Sequence, residues 1–304
     1  MAITKISLDN FVVFKHTEVL PCPGVNVFIG KNGVGKTQLM KAIYAKMMSD
    51  KDKNRLLAEY FKRGGTSYEL NSSLGTQPAS IQIEKSTADN KAVFLPVKDM
   101  LTHAKGLLSM EDKYREFPFD RTLTDVIRRA NQWTLKEPPK LALSILPKLE
   151  AMMDGTVEIE NDEFFIRKHD GRLVDFAVEA EGMKKIGLLW QLLMNENITE
   201  GSILLWDGPE VNLSPEYLPV LVECLLELSR HKVQIFVSTH NYLFATYFDV
   251  RRQQADKVAY HSLYMEENNV GCETKEHFDD LQHNTIMEAY NALLEEVYGL
   301  QVGD

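Results

Sequence analysis

Cysteine is scarce in this 304-residue chain: Cys22, Cys224 and Cys272 are the only three. They stand far apart and never in a CxxC spacing, so neither a zinc site nor a disulfide framework is indicated. No apolar run approaches the roughly 18 residues that a membrane-spanning helix needs. The opening MAITKISLDNFVVF alternates like a strand and lacks a charged stretch followed by an apolar one, so no signal peptide is expected. A reducing, cytoplasmic setting without a membrane fits these absences. Basic residues are also in deficit, 34 Lys and Arg against 44 Asp and Glu, for a net charge of −10. After residue 265 ten acids face the single base Lys275, a local net of −9, which leaves the first 265 residues at −1. Affinity for phosphate backbones comes from Lys and Arg, so the charge does not indicate nucleic-acid binding and leaves room only for a local patch. One candidate stretch, Lys46, Lys51, Lys53, Arg55, Lys62 and Arg63, is interleaved with Asp50, Asp52 and Glu59 and reads more simply as a solvated helical face. Internal repeats, low-complexity tracts and long heptad runs are lacking too.

What is present begins with Gly30-Lys31-Asn32-Gly33-Val34-Gly35-Lys36-Thr37, a complete GxxxxGK[ST] loop. Its flanks agree: Val25-Asn26-Val27-Phe28-Ile29 reads as a buried strand, and residues 38–48 read as a helix. Gly30, Gly33 and Gly35 let the backbone curl so that its N–H groups point at phosphate oxygens, and the helix N-terminus adds partial positive charge. Lys36 reaches the β- and γ-phosphates, the Thr37 hydroxyl ligates Mg²⁺, and Gln38 opens the helix beside them. The pattern implies a site for ATP and Mg²⁺.

Residues 3–8 and 11–20 look like strands, and 81–84 and 92–95 read as further short ones. A helix over 56–61 is stopped by Gly64-Gly65. From 97 to 153 the pattern turns helical, punctuated by Pro118, Pro138-Pro139 and Pro147. Strand-like alternation returns at 157–159, 164–167 and 173–178, and residues 184–194 are helical with Ile186, Leu189, Trp190 and Leu193 on one face. Two continuous apolar strands, 202–206 and 233–237, flank a helix over 215–229. Buried strands alternating with helices predict an α/β fold with a mostly parallel central sheet covered on both faces. The expected organisation is a P-loop NTPase core made of 1–96 and 154–304, with antiparallel β elements at its N-terminus and an inserted helical subdomain at 97–153. The final helix, 284–298, aligns Ile286, Tyr290, Leu293 and Val297, and core docking is preferred over a partner-binding face for that stripe.

The strand ending in Asp207 matches a Walker B element, whose carboxylate would hold the Mg²⁺ water shell opposite Thr37, while Trp206 is most simply core. The strand 233–237 runs into Ser238-Thr239-His240, and a histidine just past the carboxyl end of a parallel strand lies on the edge where ligands bind. His240 there would donate to the γ-phosphate.

Taken in order, these segments resemble an ABC-type ATPase of the RecF/SMC/OLD group, in particular small bacterial AAA family ATPases related to OLD nucleases. The likeness covers most of the chain, from about residue 3 to 245. Asn32 within the loop is typical of that group, and Ile6-Ser7-Leu8-Asp9-Asn10-Phe11 resembles its first strand. Phe94-Leu95-Pro96-Val97-Lys98-Asp99-Met100-Leu101 is similar to the segment near its Q-loop. Glu179-Ala180-Glu181-Gly182-Met183-Lys184-Lys185 resembles an AEGxRK signature, and Asp207-Gly208-Pro209-Glu210-Val211-Asn212-Leu213-Ser214-Pro215 resembles a DEPEANLxP Walker B and D-loop. The resemblance implies a homodimer in which the signature of one subunit faces the phosphate loop of the other over two ATP molecules. Gly182 would open a helix whose N–H groups meet the γ-phosphate across the interface, with Glu181 beside it and Lys184 or Lys185 adding charge. The bland alternative for the two lysines is a solvated helix start.

One position departs from the family. The Glu that follows the Walker B Asp, and that positions or deprotonates the attacking water, is Gly208 here. Three readings stay open: a binding-only or very slow site, partial substitution by Glu210, or a variant of a hydrolysing parent. For the whole chain three functions compete. The preferred one is an ATP-gated module that controls a separately encoded effector, a nuclease or toxin of bacterial phage defence, since about 60 residues follow the expected sheet core without a DxD-rich Toprim pattern. The second is a RecF-like, ATP-dependent DNA clamp. The third, a transporter ATPase subunit, is disfavoured by the AEG form of the signature and the long N-terminal strand pair.

Overall fold

The computed structural model describes residues 2–48, 80–85, 91–114, 119–267 and 269–299. The basic candidates from Lys51 to Arg63, the expected helix 56–61 and Gly64-Gly65 lie outside them. A six-stranded sheet forms the centre. Its strands are β3 (Val25–Ile29), β5 (Ala92–Leu95), β9 (Ile203–Asp207), β10 (Gln234–Ser238), β11 (Val258–Glu266) and β12 (Asn269–Lys275). Their order is β12-β11-β3-β10-β9-β5, parallel except for the β11–β12 pair. The mixed, mostly parallel sheet is the α/β P-loop architecture expected above.

Strands β3, β9 and β10 are buried along their whole length, which is why they read as continuous apolar runs instead of alternating ones. One sheet face, carrying Val27, Leu204, Trp206 and Val237, is covered by helices. These are α3 (Arg121–Ala130), α4 (Leu146–Met153), α5 (Glu181–Met194), α6 (Leu218–Arg230) and α7 (Tyr242–Arg251). The other face, carrying Phe28, Phe94, Leu205 and Phe236, meets α1 (Lys36–Met47). It also meets an antiparallel sheet of β1 (Ile3–Phe11), β2 (Phe14–Val19) and β4 (Ser80–Lys85). The 97–153 segment holds α2 (Leu107–Lys113), α3 and α4, and its apolar side chains run into the same core as the sheet. An antiparallel meander follows, of β6 (Gly155–Glu160), β7 (Glu163–Lys168) and β8 (Leu173–Asp175). Among the described residues no helix is long and apolar enough to cross a membrane.

Polar side chains stitch these layers. Gln234 in β10 accepts from the Ile3 N–H at 2.7 Å and donates to the carbonyls of Ile3 and Cys22, fixing the N-terminal strand to the central sheet. Lys41 pairs with Asp120 at 2.8 Å, and Tyr44 donates to Asp125, which also takes Arg129 at 2.8 Å, so the helix after the phosphate loop is latched to α3.

Two expectations change. The sheet does not end before the last 60 residues: β11 pairs in parallel directly with the phosphate-loop strand β3. The helix α8 (Thr285–Tyr298) docks only through its first half, with Ile286 buried and Tyr290 stacked on Tyr242 at 4.1 Å, whereas Leu293 and Val297 are 53% and 61% exposed. Strand β11 escaped the sequence reading because His261 and Ser262 interrupt its apolar pattern. Both are buried and satisfied by partners distant in sequence: His261 bonds Thr274 Oγ1 and Asn26 Oδ1, and Ser262 donates to the His283 carbonyl.

Burial pushes the His261 pKa down to about 3, so the ring stays neutral in the folded chain. An unfolded histidine titrates near 6.5. Between these values the unfolded chain holds the extra proton, so stability falls as pH drops below about 6.5, by up to about 1.4 kcal/mol per pH unit. Urea unfolding of wild type and His261→Gln from pH 7 to 4.5 should show a shallower pH slope in the variant; equal slopes would assign acid lability to other groups.

Candidate functional site

The parallel register decides which residues meet. Ser238 lies beside Asp207 on one side and Phe28 on the other, so the ends of β9, β10 and β3 finish at one level. The phosphate loop, Asp207 and the segment 238–240 therefore share the carboxyl edge of the sheet, where α/β folds bind ligands. Gly30, Gly33 and Gly35 all have positive φ (+138°, +85° and +94°), which gives the curled loop the sequence demanded. Gly35 caps α1, whose first turn has neither an acid nor a side-chain cap, leaving its N–H groups free for an anion. Lys31 and Asn32 are exposed on the loop, and Gln38 is half-buried with an unpartnered Oε1.

Lys36 is only 7% exposed and its Nζ donates to the carbonyls of Gly30 (2.8 Å) and Lys31 (3.1 Å). Burial lowers its pKa to about 8, opposed by the charge of Asp207. Thr37 Oγ1 donates to Asp207 Oδ2 at 2.7 Å, and Ser238 donates to Asp207 Oδ1. His240 is exposed at the same edge, and its pKa is lowered by burial and by Lys36 and raised by Asp207. Lys36, Thr37, Asp207 and His240, drawn from three separate segments of the chain, thus form one cluster. A hydroxyl and a carboxylate already in contact are a fitting pair for Mg²⁺ and its water shell, and a buried ammonium on loop carbonyls fits a triphosphate cradle. A shallow cleft of about 440 Å³ adjoins it, between Lys31, Asn32 and His240 on one side and Ile286, Ala289 and Tyr290 of α8 on the other.

The signature residues pack against the segment that follows Asp207. Glu181 and Gly182 open α5, whose N-cap Ala180 has no side-chain cap. A Cβ at Gly182 would lie 2.5 Å from the Asn212 carbonyl oxygen, so only glycine lets α5 approach the D-loop this closely. The two lysines differ from the solvated alternative. Lys184 and Lys185 are each 5% exposed, so neither is a solvated helix start. Lys184 pairs with Glu181 at 2.6 Å, and Lys185 donates to the carbonyls of Gly208 (2.9 Å) and Val211 (3.0 Å). Each cation is buried with partners inside its own chain. The α-helical period could have shown this, because positions 184 and 185 start the run that is buried on all sides.

Gly208 is not an empty glutamate position. Its φ is +57°, and a Cβ there would meet Val211 Cγ2 at 3.0 Å and Val97 Cγ2 at 3.3 Å. Glu210 is 7% exposed and accepts from Thr239 Oγ1 at 2.6 Å, while its Oε2 is buried without a hydrogen-bond partner. Burial raises its pKa, against the pull of Thr239. Ser238 and Thr239 as partners of the two acids were not singled out from sequence; their position at the end of an apolar strand opposite the Walker B strand was the available signal.

Two family matches overlap along the chain: "AAA ATPase domain" over residues 1–117 and "AAA domain, putative AbiEii toxin, Type IV TA system" over residues 99–245. The DNA replication and repair protein RecF of Shewanella sp. (strain W3-18-1) is 39% identical over 44 residues, 14% of this chain and 12% of that protein. The match thus spans about an eighth of the relative's length. The SMC head bound to the C-winged helix domain of ScpA aligns with a TM-score of 0.57 at 13% identity, covering 92% of this chain and all of that one. A nucleotide-free ATP-binding cassette from an ABC transporter aligns at 0.50 and 12% identity, covering 94% of this chain and 99% of that one. These two likenesses concern the fold. With a complete phosphate loop and Walker B pair, and two AAA ATPase matches that together run from residue 1 to 245, the chain is an AAA-type ATPase with the fold of SMC heads and ATP-binding cassettes.

Proposed function

We propose that this chain is an ATP-gated module: two copies close around two ATP·Mg²⁺, and the closed dimer controls a separately encoded effector protein. The observation that carries the reading is the Lys36, Thr37, Asp207 and His240 cluster on one sheet edge, together with the free N-terminal turn of α5 beside the D-loop. Exposed Val97, Val178 and Val211 near that turn and the D-loop supply apolar surface for a second copy. Lys36 and the loop N–H groups bind and orient the phosphates, His240 senses the terminal one, and the first turn of α5 caps it from the other subunit. Mg²⁺, held by Thr37 and Asp207, would neutralise phosphate charge. Hydrolysis is weak or absent, since Gly208 offers no base. The effector half of the reading is supported by the match to a toxin-associated AAA family and by a structural neighbour that is an SMC head bound to ScpA. A nuclease or toxin of phage defence is the effector class proposed.

Light scattering with and without ATP·Mg²⁺, run beside phosphate release, tests the gate. The mass should double with ATP·Mg²⁺ and return to the monomer value on chelation, with little phosphate released. A constant mass at saturating ATP·Mg²⁺ removes the dimer clamp. The RecF match favours a second reading, an ATP-dependent DNA clamp. A salt-sensitive DNA mobility shift that requires ATP would select it.

A further inference from the structure

We propose that Glu210 is a positioning residue for His240, fixing the 239–240 segment against the turn that follows β9. The inference rests on the ATP-gated reading and names the part that sets its switch. The turn is clamped from two directions. Gly208 N–H donates to the Ser238 carbonyl at 3.1 Å, and Val211 N–H closes back onto the Gly208 carbonyl at 3.2 Å. From α5, Lys185 holds the carbonyls of Gly208 and Val211, the two residues that bracket Pro209 and Glu210. A turn held this way presents one side chain in a fixed place, and that side chain is Glu210.

Its carboxylate reaches the next strand end. Thr239 donates to Oε1 at 2.6 Å, and the same hydroxyl accepts from the Asn241 N–H at 2.9 Å. Asn241 in turn caps α7 by accepting from the Phe244 N–H at 2.9 Å. Thr239 N–H donates to the Phe28 carbonyl at 3.0 Å, one strand residue short of Ile29 and the phosphate loop. His240 therefore sits between two residues whose backbones are pinned, while its own ring is exposed toward the loop. Glu210 supplies the central acceptor of that chain. A buried carboxylate with one oxygen left unpartnered is costly by itself. Its burial and its bond to Thr239 direct it into the switch segment, unlike an exposed base facing an attacking water.

The test compares wild type, Glu210→Gln, Glu210→Ala and Thr239→Val in the full chain. The His240 ring is followed by NMR in ¹³C-histidine protein, assigned with His240→Gln, alongside calorimetric ATP·Mg²⁺ binding and phosphate release. Glu210→Ala and Thr239→Val should each move the His240 midpoint by about half a pH unit. Each should cut whatever phosphate release exists by about tenfold, with ATP·Mg²⁺ affinity kept within about threefold. Glu210→Gln keeps an acceptor for Thr239 and should stay near wild type, and the double variant should be no worse than either single one. Should Glu210→Ala not fold, the Gln and Val variants carry the comparison. The proposal is overturned by a His240 midpoint unmoved in Thr239→Val and Glu210→Ala. It is equally overturned by Glu210→Gln losing phosphate release with His240 undisturbed, which would make the carboxylate a proton acceptor. Because His240 is read in nucleotide-free protein, a wild type that fails to bind ATP·Mg²⁺ would remove the functional reading and leave this test standing.

Discussion

Gly208→Glu should raise phosphate release by about a hundredfold, the low end of what a placed general base contributes. The gain comes with a measurable loss of stability. Residue 208 has φ +57°, a conformation that costs an ordinary L-residue about 1–2 kcal/mol. Its Cβ would also press on Val211 at 3.0 Å. The backbone cannot relax freely, because Lys185 holds the carbonyl of residue 208 and Ser238 its N–H. Gly208→Ala separates the two effects: it should lose the same stability in urea unfolding and gain no turnover. Equal phosphate release from the glycine, alanine and glutamate chains would show that the base does not act from this position.

Lys36→Ala should weaken ATP·Mg²⁺ binding by roughly a hundredfold, equivalent to about 2.7 kcal/mol, the scale of a charge-assisted hydrogen bond in a desolvated site. Lys36 is buried, on loop carbonyls, and within the field of Asp207, so no other described side chain replaces it at that point. The fold should survive, since removing a buried cation also removes its desolvation cost. Asn32→Ala, on the exposed part of the same loop, should cost less than about threefold. Calorimetric titration of the three chains decides it: a Lys36→Ala affinity within threefold of wild type would move the phosphates away from this loop.

Some of this molecule was legible because it is local. The phosphate loop lies between a wholly apolar strand and a helix, and its glycines, lysine and threonine follow one another in the chain. Strands β9 and β10 announced themselves through unbroken apolar runs, and Asp207 and His240 through their places at the ends of those runs. Where burial depends on a partner, the signal fades. His261, Ser262 and Gln234 are polar and wholly inside, because their bonds go to Asn26, Thr274, His283, Ile3 and Cys22, none of them a sequence neighbour. For that reason the apolar pattern of β11 is broken at His261 and Ser262, and its place in the sheet is not legible from the sequence.

Sequence by itself determined the phosphate-loop motif, the α/β class and the Walker B Asp207 at the end of an apolar run, since each is written in residue type and spacing along a single segment. Tertiary structure alone decided the surroundings of Lys184, Lys185 and Glu210. A charge next to a helix start or a turn has no fixed meaning until its surroundings say whether water, a carbonyl or another charge satisfies it. Here Lys185 satisfies the D-loop carbonyls and Glu210 the Thr239 hydroxyl, contacts that only the packing of α5, β9 and β10 brings within bonding distance.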